Sequence, residues 1–142
     1  MHQAMPALKA FIVEDSPVIL ENLIATLEEL AEVEVVGTVG DEAGAVRWLK
    51  QSPTGADLLI VDVFLRSGSG LGVLAAAREL GTAGELVVLT NYATDEMRRR
   101  CLSLGAARVF DKSHELDDLI THCAQLAQGR PAGGASTASL AS

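Results

Sequence analysis

Continuous apolar runs rich in Val, Ile and Leu occur at 8–13, 33–39, 57–63, 85–90 and 107–110, and helical spacing fills the intervals. Short unbroken runs of this kind read as strands buried on both faces, whereas recurrence every three or four residues reads as an amphipathic helix. The first helix is well marked. Ser16 can cap it, Pro17 suits its first position, and Ile19, Leu20, Leu23, Ile24, Leu27 and Leu30 share a face. The second, near 41–51, starts at a candidate cap, Asp41, and carries Ala45, Trp48 and Leu49 on one side, Trp48 as a packing residue. The third, near 69–80, follows Ser67-Gly68-Ser69-Gly70 and stops at Gly81, a residue that readily takes the left-handed closing conformation. In the fourth, near 94–104, Asp95 and Glu96 precede Arg99 and Arg100 at pairing distance, and Met97, Cys101 and Leu104 mark the inner face. The fifth, near 114–128, has Ser113 as its cap and a stripe of Leu116, Leu119, Ile120, Cys123 and Ala127.

Five strand–helix pairs with short connections predict an α/β fold, a parallel sheet covered by helices on both faces. One domain over 8–128 accounts for the pattern, with a short N-terminal extension at 1–7. Residues 129–142 are rich in Gly, Ala and Ser and read as a flexible tail. A chain of 142 residues that is 49% hydrophobic has enough apolar side chains for a real core. Its 11 Lys and Arg against 19 Asp and Glu, a formal charge of −8, argue against a direct nucleic-acid surface, which needs clustered cations. Cys101 and Cys123 fall at inward helical positions and read as buried free thiols. The first residues lack the basic and apolar regions of a signal peptide, and no apolar stretch is long enough to span a membrane, so a cytoplasmic location is expected.

The polar residues that end the strands carry the chemistry. Asp62 closes Leu58-Leu59-Ile60-Val61, Glu14 and Asp15 follow Phe11-Ile12-Val13, Thr90 follows Val87-Val88-Leu89, and Asp111-Lys112 follow Val109-Phe110. A lone acid at a strand tip could merely cap the next helix. In a parallel sheet, however, all strand C-termini lie along one edge, where open α/β sheets bind ligands. Three carboxylates meeting there need neutralising, and Mg²⁺ does so with a few carboxylates, waters and phosphate oxygens. Lys112 adds a mobile positive charge and Thr90 a hydroxyl donor. Such a group suits phosphoryl transfer with Asp62 as a covalent acceptor.

These residues resemble the response-regulator receiver domain of two-component signalling over roughly 8–128. The resemblance rests on Phe11-Ile12-Val13-Glu14-Asp15-Ser16, Leu58-Leu59-Ile60-Val61-Asp62, Val87-Val88-Leu89-Thr90 and Phe110-Asp111-Lys112-Ser113. It implies a flavodoxin-like sheet of order 2-1-3-4-5 and Mg²⁺ held by Glu14, Asp15, Asp62 and the backbone carbonyl of Phe64. It further implies a histidine kinase or histidine phosphotransfer protein as donor. Output would follow Thr90 moving toward the phosphoryl group and changing the surface of helix 4, strand 5 and helix 5 for a protein partner. No turnover of a separate substrate is expected. Three departures stand out: Ser113 replaces the proline usual after the lysine, the usual loop proline after the acceptor is missing, and Val109 occupies the switch position usually held by an aromatic. Phe110 is expected on the opposite strand face, in packing. Phe64 and Tyr92, each two residues beyond a site residue, are expected to control access to the phosphate and lengthen its life.

Other motifs carry less. Gly68-Ser69-Gly70-Leu71-Gly72 has its third glycine one residue early for a dinucleotide fingerprint. Arg98-Arg99-Arg100 reads as a solvated helix face, and His114 and His122 as surface or capping residues. A phosphatase using Asp62 covalently would need a second acid where Phe64 stands. Two further alternatives are a receiver-like interaction module that does not cycle phosphate and a receiver fragment of a longer transcriptional regulator. The absence of a visible output domain leads us to expect a stand-alone receiver.

Overall fold

The computed structural model describes residues 7–129. Strands β1 (Leu8–Val13), β2 (Val33–Val39), β3 (Leu58–Val61), β4 (Glu85–Thr90) and β5 (Arg108–Asp111) alternate with helices α1 (Pro17–Leu30), α2 (Glu42–Gln51), α3 (Gly70–Leu80), α4 (Asp95–Ser103) and α5 (Leu116–Gly129). The strands form one parallel sheet in the order β2-β1-β3-β4-β5, as the resemblance implied. Most of the expected 1–7 extension and of the 129–142 tail lies outside the described residues, while Gly129 itself closes α5.

Period-two alternation along the strands separates two cores. Phe11, Val13, Leu59, Val61 and Val88 face α2, α3 and α4, where Leu49, Leu74 and Cys101 meet them. Ile12, Leu58, Ile60, Val87 and Leu89 face Leu23 and Leu27 of α1 and Leu119 and Cys123 of α5. Both faces of the central strands are thus dry, which is why their sequences are unbroken apolar runs. Val109 and Phe110 part in the same way, one into each core. Trp48 stacks on Phe11 with ring centroids 3.9 Å apart, and Gly37 makes room, since a Cβ there would lie 2.9 Å from the indole nitrogen. Both cysteines are free and buried, and burial pushes the Cys123 thiol up to about 12.

Local chemistry sets the helix ends. Ser16 and Asp41 accept the N–H groups of Ile19 and Gly44, at 3.4 and 2.7 Å, and Gly81 closes α3 at φ 67°. The cap of α4, for which the sequence named no residue, is Thr94, whose hydroxyl accepts the Met97 N–H at 3.1 Å. Two expectations are corrected. Ser113 is no cap for α5: its N–H donates to Asp111 Oδ1 at 2.7 Å in a turn that delays the helix to Leu116. Leu116 and Leu30, placed on inner stripes by spacing alone, are exposed; past Leu27 the buried position at the end of α1 falls to Ala31, four residues on, instead of Leu30.

Candidate functional site

At the sheet's C-terminal edge, backbone bonds tie the ends of neighbouring strands and carry all five into one region. Glu14 N–H donates to Val39 carbonyl at 3.0 Å, Asp62 N–H to Val13 carbonyl at 2.9 Å and Lys112 N–H to Thr90 carbonyl at 2.9 Å. Glu14 and Asp62 are buried and Asp15 is partly exposed. Their carboxylates offer oxygens all within 4.8 Å of one another. Lys112 Nζ lies 2.7 Å from Glu14 Oε1 and 2.9 Å from Asp62 Oδ2, with its side chain only 10% exposed.

The electrostatics follow from that enclosure. Burial pushes the Asp62 carboxyl up, and the hydrogen bond and charge of Lys112 offset this only in part. Burial works against the Lys112 ammonium, but its hydrogen bonds to Glu14 and Asp62 and their charges prevail and raise its pKa. With all acids ionised, three negative charges and one positive leave −2, which suits a divalent cation. Octahedral Mg²⁺ holds oxygens about 3 Å apart when adjacent and about 4 Å when opposite, and three hard oxygens within 4.8 Å fit such an ion.

The loop after β3 is folded tightly against the acceptor strand. Phe64 N–H donates to Asp62 Oδ1 at 3.3 Å, and Arg66 N–H donates to Asp15 Oδ2. Gly70 N–H donates to Val63 carbonyl at 2.8 Å, and a Cβ at Gly70 would lie 2.1 Å from the Asp62 carbonyl oxygen. The run of glycines therefore serves close backbone approach here. Gly68 additionally takes φ 83°, a conformation that side chains disfavour.

A pocket of ≈ 210 Å³ opens over the acids, bounded by Ser16, Ile19, Asn91, Phe64 and Tyr92 besides the charged residues. Phe64 and Tyr92 meet edge to face with centroids 4.9 Å apart, and remain 50% and 61% exposed. Asn91, Ser16 and Arg66 were missed by the sequence reading. Adjacency to strand-final residues was the available signal for Asn91 and Ser16; Arg66 acts through its backbone, to which side-chain type is blind. Thr90 is at the same edge but fully buried beneath the pocket lining, and its Oγ1 accepts the Tyr92 N–H at 3.3 Å. Val109 is also buried, in the core beside Val88 and Cys101.

Two surface expectations are corrected on the far side of β5. Arg98 does not share the solvated face of Arg99 and Arg100. Its Nε donates to Ala93 carbonyl at 3.0 Å, Nη1 to Val109 carbonyl at 2.9 Å and Nη2 to Glu115 Oε1 at 2.9 Å. Glu115 also accepts the Asp111 N–H at 2.8 Å, so one ion pair joins the β4–α4 loop, β5 and the start of α5. The Arg98 hydrogen bond holds the Glu115 carboxyl below the usual carboxylate range. His122 is likewise half-buried, 2.7 Å from Glu85 Oε2 and tilted against Phe110, because α5 turns it inward toward β4; His114 is exposed as expected.

A model of the response regulator receiver domain matches residues 10–124. The chain belongs to the response regulator receiver family. This receiver is 29% identical over 112 residues to the virulence transcription regulator BvgA of Bordetella pertussis, matching 79% of this chain and 52% of that protein. It is 27% identical over 124 residues to the transcriptional regulatory protein YvfU of Bacillus subtilis, matching 87% of this chain and 60% of YvfU. The receiver thus spans about half the length of these relatives. Its fold is that of the response regulator domain of Thermotoga maritima CheB, with TM-score 0.76 at 16% identity over 88% of this chain and 99% of that one. It is also that of the receiver domain of Salmonella enterica RcsB solved with the phosphomimetic BeF3−, with TM-score 0.74 at 23% identity over 87% and 90%. Receivers are phospho-acceptors that work with histidine kinases or phosphotransfer proteins. Among the described residues of this one, no helix is long and apolar enough to cross a membrane.

Proposed function

We propose that this chain takes a phosphoryl group from a phosphohistidine onto Asp62 and signals the change to a protein partner in the cytoplasm. The observation that carries the reading is Lys112 Nζ bridging Glu14 and Asp62 at 2.7 and 2.9 Å, beside an acid cluster fit for a cation. In the transfer, the P–N bond to the donor imidazole breaks, its electron pair stays on the imidazole, and a P–O bond forms to an Asp62 oxygen. Lys112 holds the Asp62 carboxylate in place and offers its charge to the incoming phosphoryl oxygens. Glu14, Asp15, Asp62 and the Phe64 carbonyl would hold Mg²⁺, which when bound offsets charge on the phosphoryl group.

Thr90 is the switch residue of this reading. Its hydroxyl now accepts from the Tyr92 N–H, so turning toward a phosphoryl oxygen disturbs the loop leading to Ala93, the carbonyl that Arg98 grips. The surface that changes is the one built by α4, β5 and α5, where a depression of ≈ 490 Å³ includes Arg98, Leu102, Arg108, Phe110 and Glu115. The edge-to-face Phe64–Tyr92 pair restricts the approach of water to the phosphate.

The test is incubation with Mg²⁺ and a small phosphodonor, read by intact mass. A single phosphate adduct that is absent in Asp62→Asn is the expected result; an unmodified wild-type protein would overturn the reading. A second reading, the receiver portion of a longer transcriptional regulator, is favoured by one observation: BvgA and YvfU are transcription regulators of which the chain spans about half. The phosphoryl chemistry is the same in both.

A further inference from the structure

The loop that carries Phe64 past Asp62 is gripped from α2 by a carboxylate outside the acid cluster. Glu42 Oε1 accepts the Ser69 N–H at 2.9 Å, and Glu42 N–H donates to the Ser67 carbonyl at 3.2 Å. Ser69 in turn forms an antiparallel bridge with Phe64, whose N–H donates to Asp62 Oδ1 at 3.3 Å. A continuous series of backbone contacts therefore joins the Glu42 side chain to the acceptor carboxylate.

The glycines complete the grip. A Cβ at Gly72 would stand 2.2 Å from Glu42 Oε2, and one at Gly68 would stand 2.4 Å from the Glu42 Cβ. Both positions leave the room that this carboxylate fills. Bare glycines on two sides and an N–H on a third define a socket for the side chain, which makes its placement specific. On the other flank the same loop is tied to the acid cluster, through Arg66 N–H on Asp15.

We propose that Glu42 is a positioning residue for phosphoryl transfer, fixing at Ser69 the loop that sets Phe64 against Asp62. The inference rests on the phospho-acceptor reading above. Holding a reacting group within a few tenths of an ångström matters because small misplacements in a transfer site cost rate steeply. Glu42 touches neither phosphate nor cation in this role; it acts through the loop.

Three variants separate positioning from simple support. Glu42→Ala removes the acceptor for the Ser69 N–H, Glu42→Gln keeps an oxygen there, and Gly72→Ala displaces the carboxylate while giving α3 a better helix former. Each is phosphorylated with a small phosphodonor at saturating Mg²⁺, the maximal rate and half-saturating donor concentration being read separately, beside a thermal melt. In Glu42→Ala and Gly72→Ala the maximal rate falls roughly tenfold, with the half-saturating donor concentration little changed. Glu42→Gln restores most of that rate, and Gly72→Ala melts no lower than wild type. Should Glu42→Ala not fold, the contrast between Glu42→Gln and Gly72→Ala carries the same test. Rates within twofold of wild type in Gly72→Ala, or a loss in Glu42→Gln as large as in Glu42→Ala, would overturn the proposal. A wild-type protein that takes no phosphate is a different failure, that of the phospho-acceptor reading itself.

Discussion

The strand tips around Asp62 and the face built by α4, β5 and α5 lie on either side of Thr90, and they are held by opposite kinds of contact. At the tips, like charges converge: Glu14 and Asp62 share the Lys112 ammonium, Asp15 stands beside them, and the acids outnumber the cation by two. On the face, one ion pair does the holding. Arg98 satisfies two carbonyls and Glu115, and Glu115 accepts a backbone N–H besides. One region carries an excess of negative charge, which under the proposed function is its reactive feature; the other is tied by a partly buried ion pair that spans three elements. The latter region is held by the Arg98 guanidinium, which donates to the Val109 carbonyl while the Val109 side chain packs in the core.

The sharpest way to break this contrast is to remove the single cation of the tips. Lys112→Ala is expected to slow phosphoryl uptake by about 10²-fold in a mass-based rate assay, as loss of a group that stabilises developing charge does. Without a divalent cation it should also cost about 3 kcal/mol in urea unfolding, because buried carboxylates lose their partner. Added Mg²⁺ should recover part of that stability. A variant as stable and as fast as wild type would mean that the tips are not the charge-strained region.

A smaller effect sharpens the boundary between the regions. Phe64→Ala or Tyr92→Ala should speed loss of phosphate from Asp62 by roughly tenfold, about 1.4 kcal/mol in barrier, measured as decay of the mass adduct. An unchanged decay would show that the aromatic pair does not shield the phosphate.

On the face, Arg98→Ala should cost about 1 to 2 kcal/mol by urea unfolding, with faster amide exchange in α4 and β5. The pH dependence is smaller still. Because the folded Glu115 carboxyl is held low, its contribution is present above the unfolded value of about 4.3 and is lost as pH falls through the folded value. Arg98→Ala should flatten that acid limb of the stability curve; an unaltered limb would show that the pair carries no linkage.

Sequence made the tips far more legible than the face, for physical reasons. A buried parallel strand leaves an unbroken apolar run, so its end is visible, and whatever polar residue ends it must lie on the sheet's edge. Glu14, Asp62, Thr90 and Lys112 were found in that way. The partners that hold loops act across long separations or through main-chain atoms: Glu42 reaches Ser69, and Asp15 accepts from the backbone of Arg66. Neither leaves a periodicity. The arginine run misled for a geometric reason, since successive helical residues point about 100° apart and cannot share one environment. Ser113 misled because a residue suited to capping a helix is equally suited to a turn.

Trp48 gives the two regions different visibility. It is the chain's one indole, and it lies flat on Phe11 in the helix that also carries Glu42, with the sheet between it and α5. Its emission is therefore a native optical gauge of how α2 packs on the sheet. The α5 side is dark to that gauge, so a signal there has to be read by exchange or by a partner.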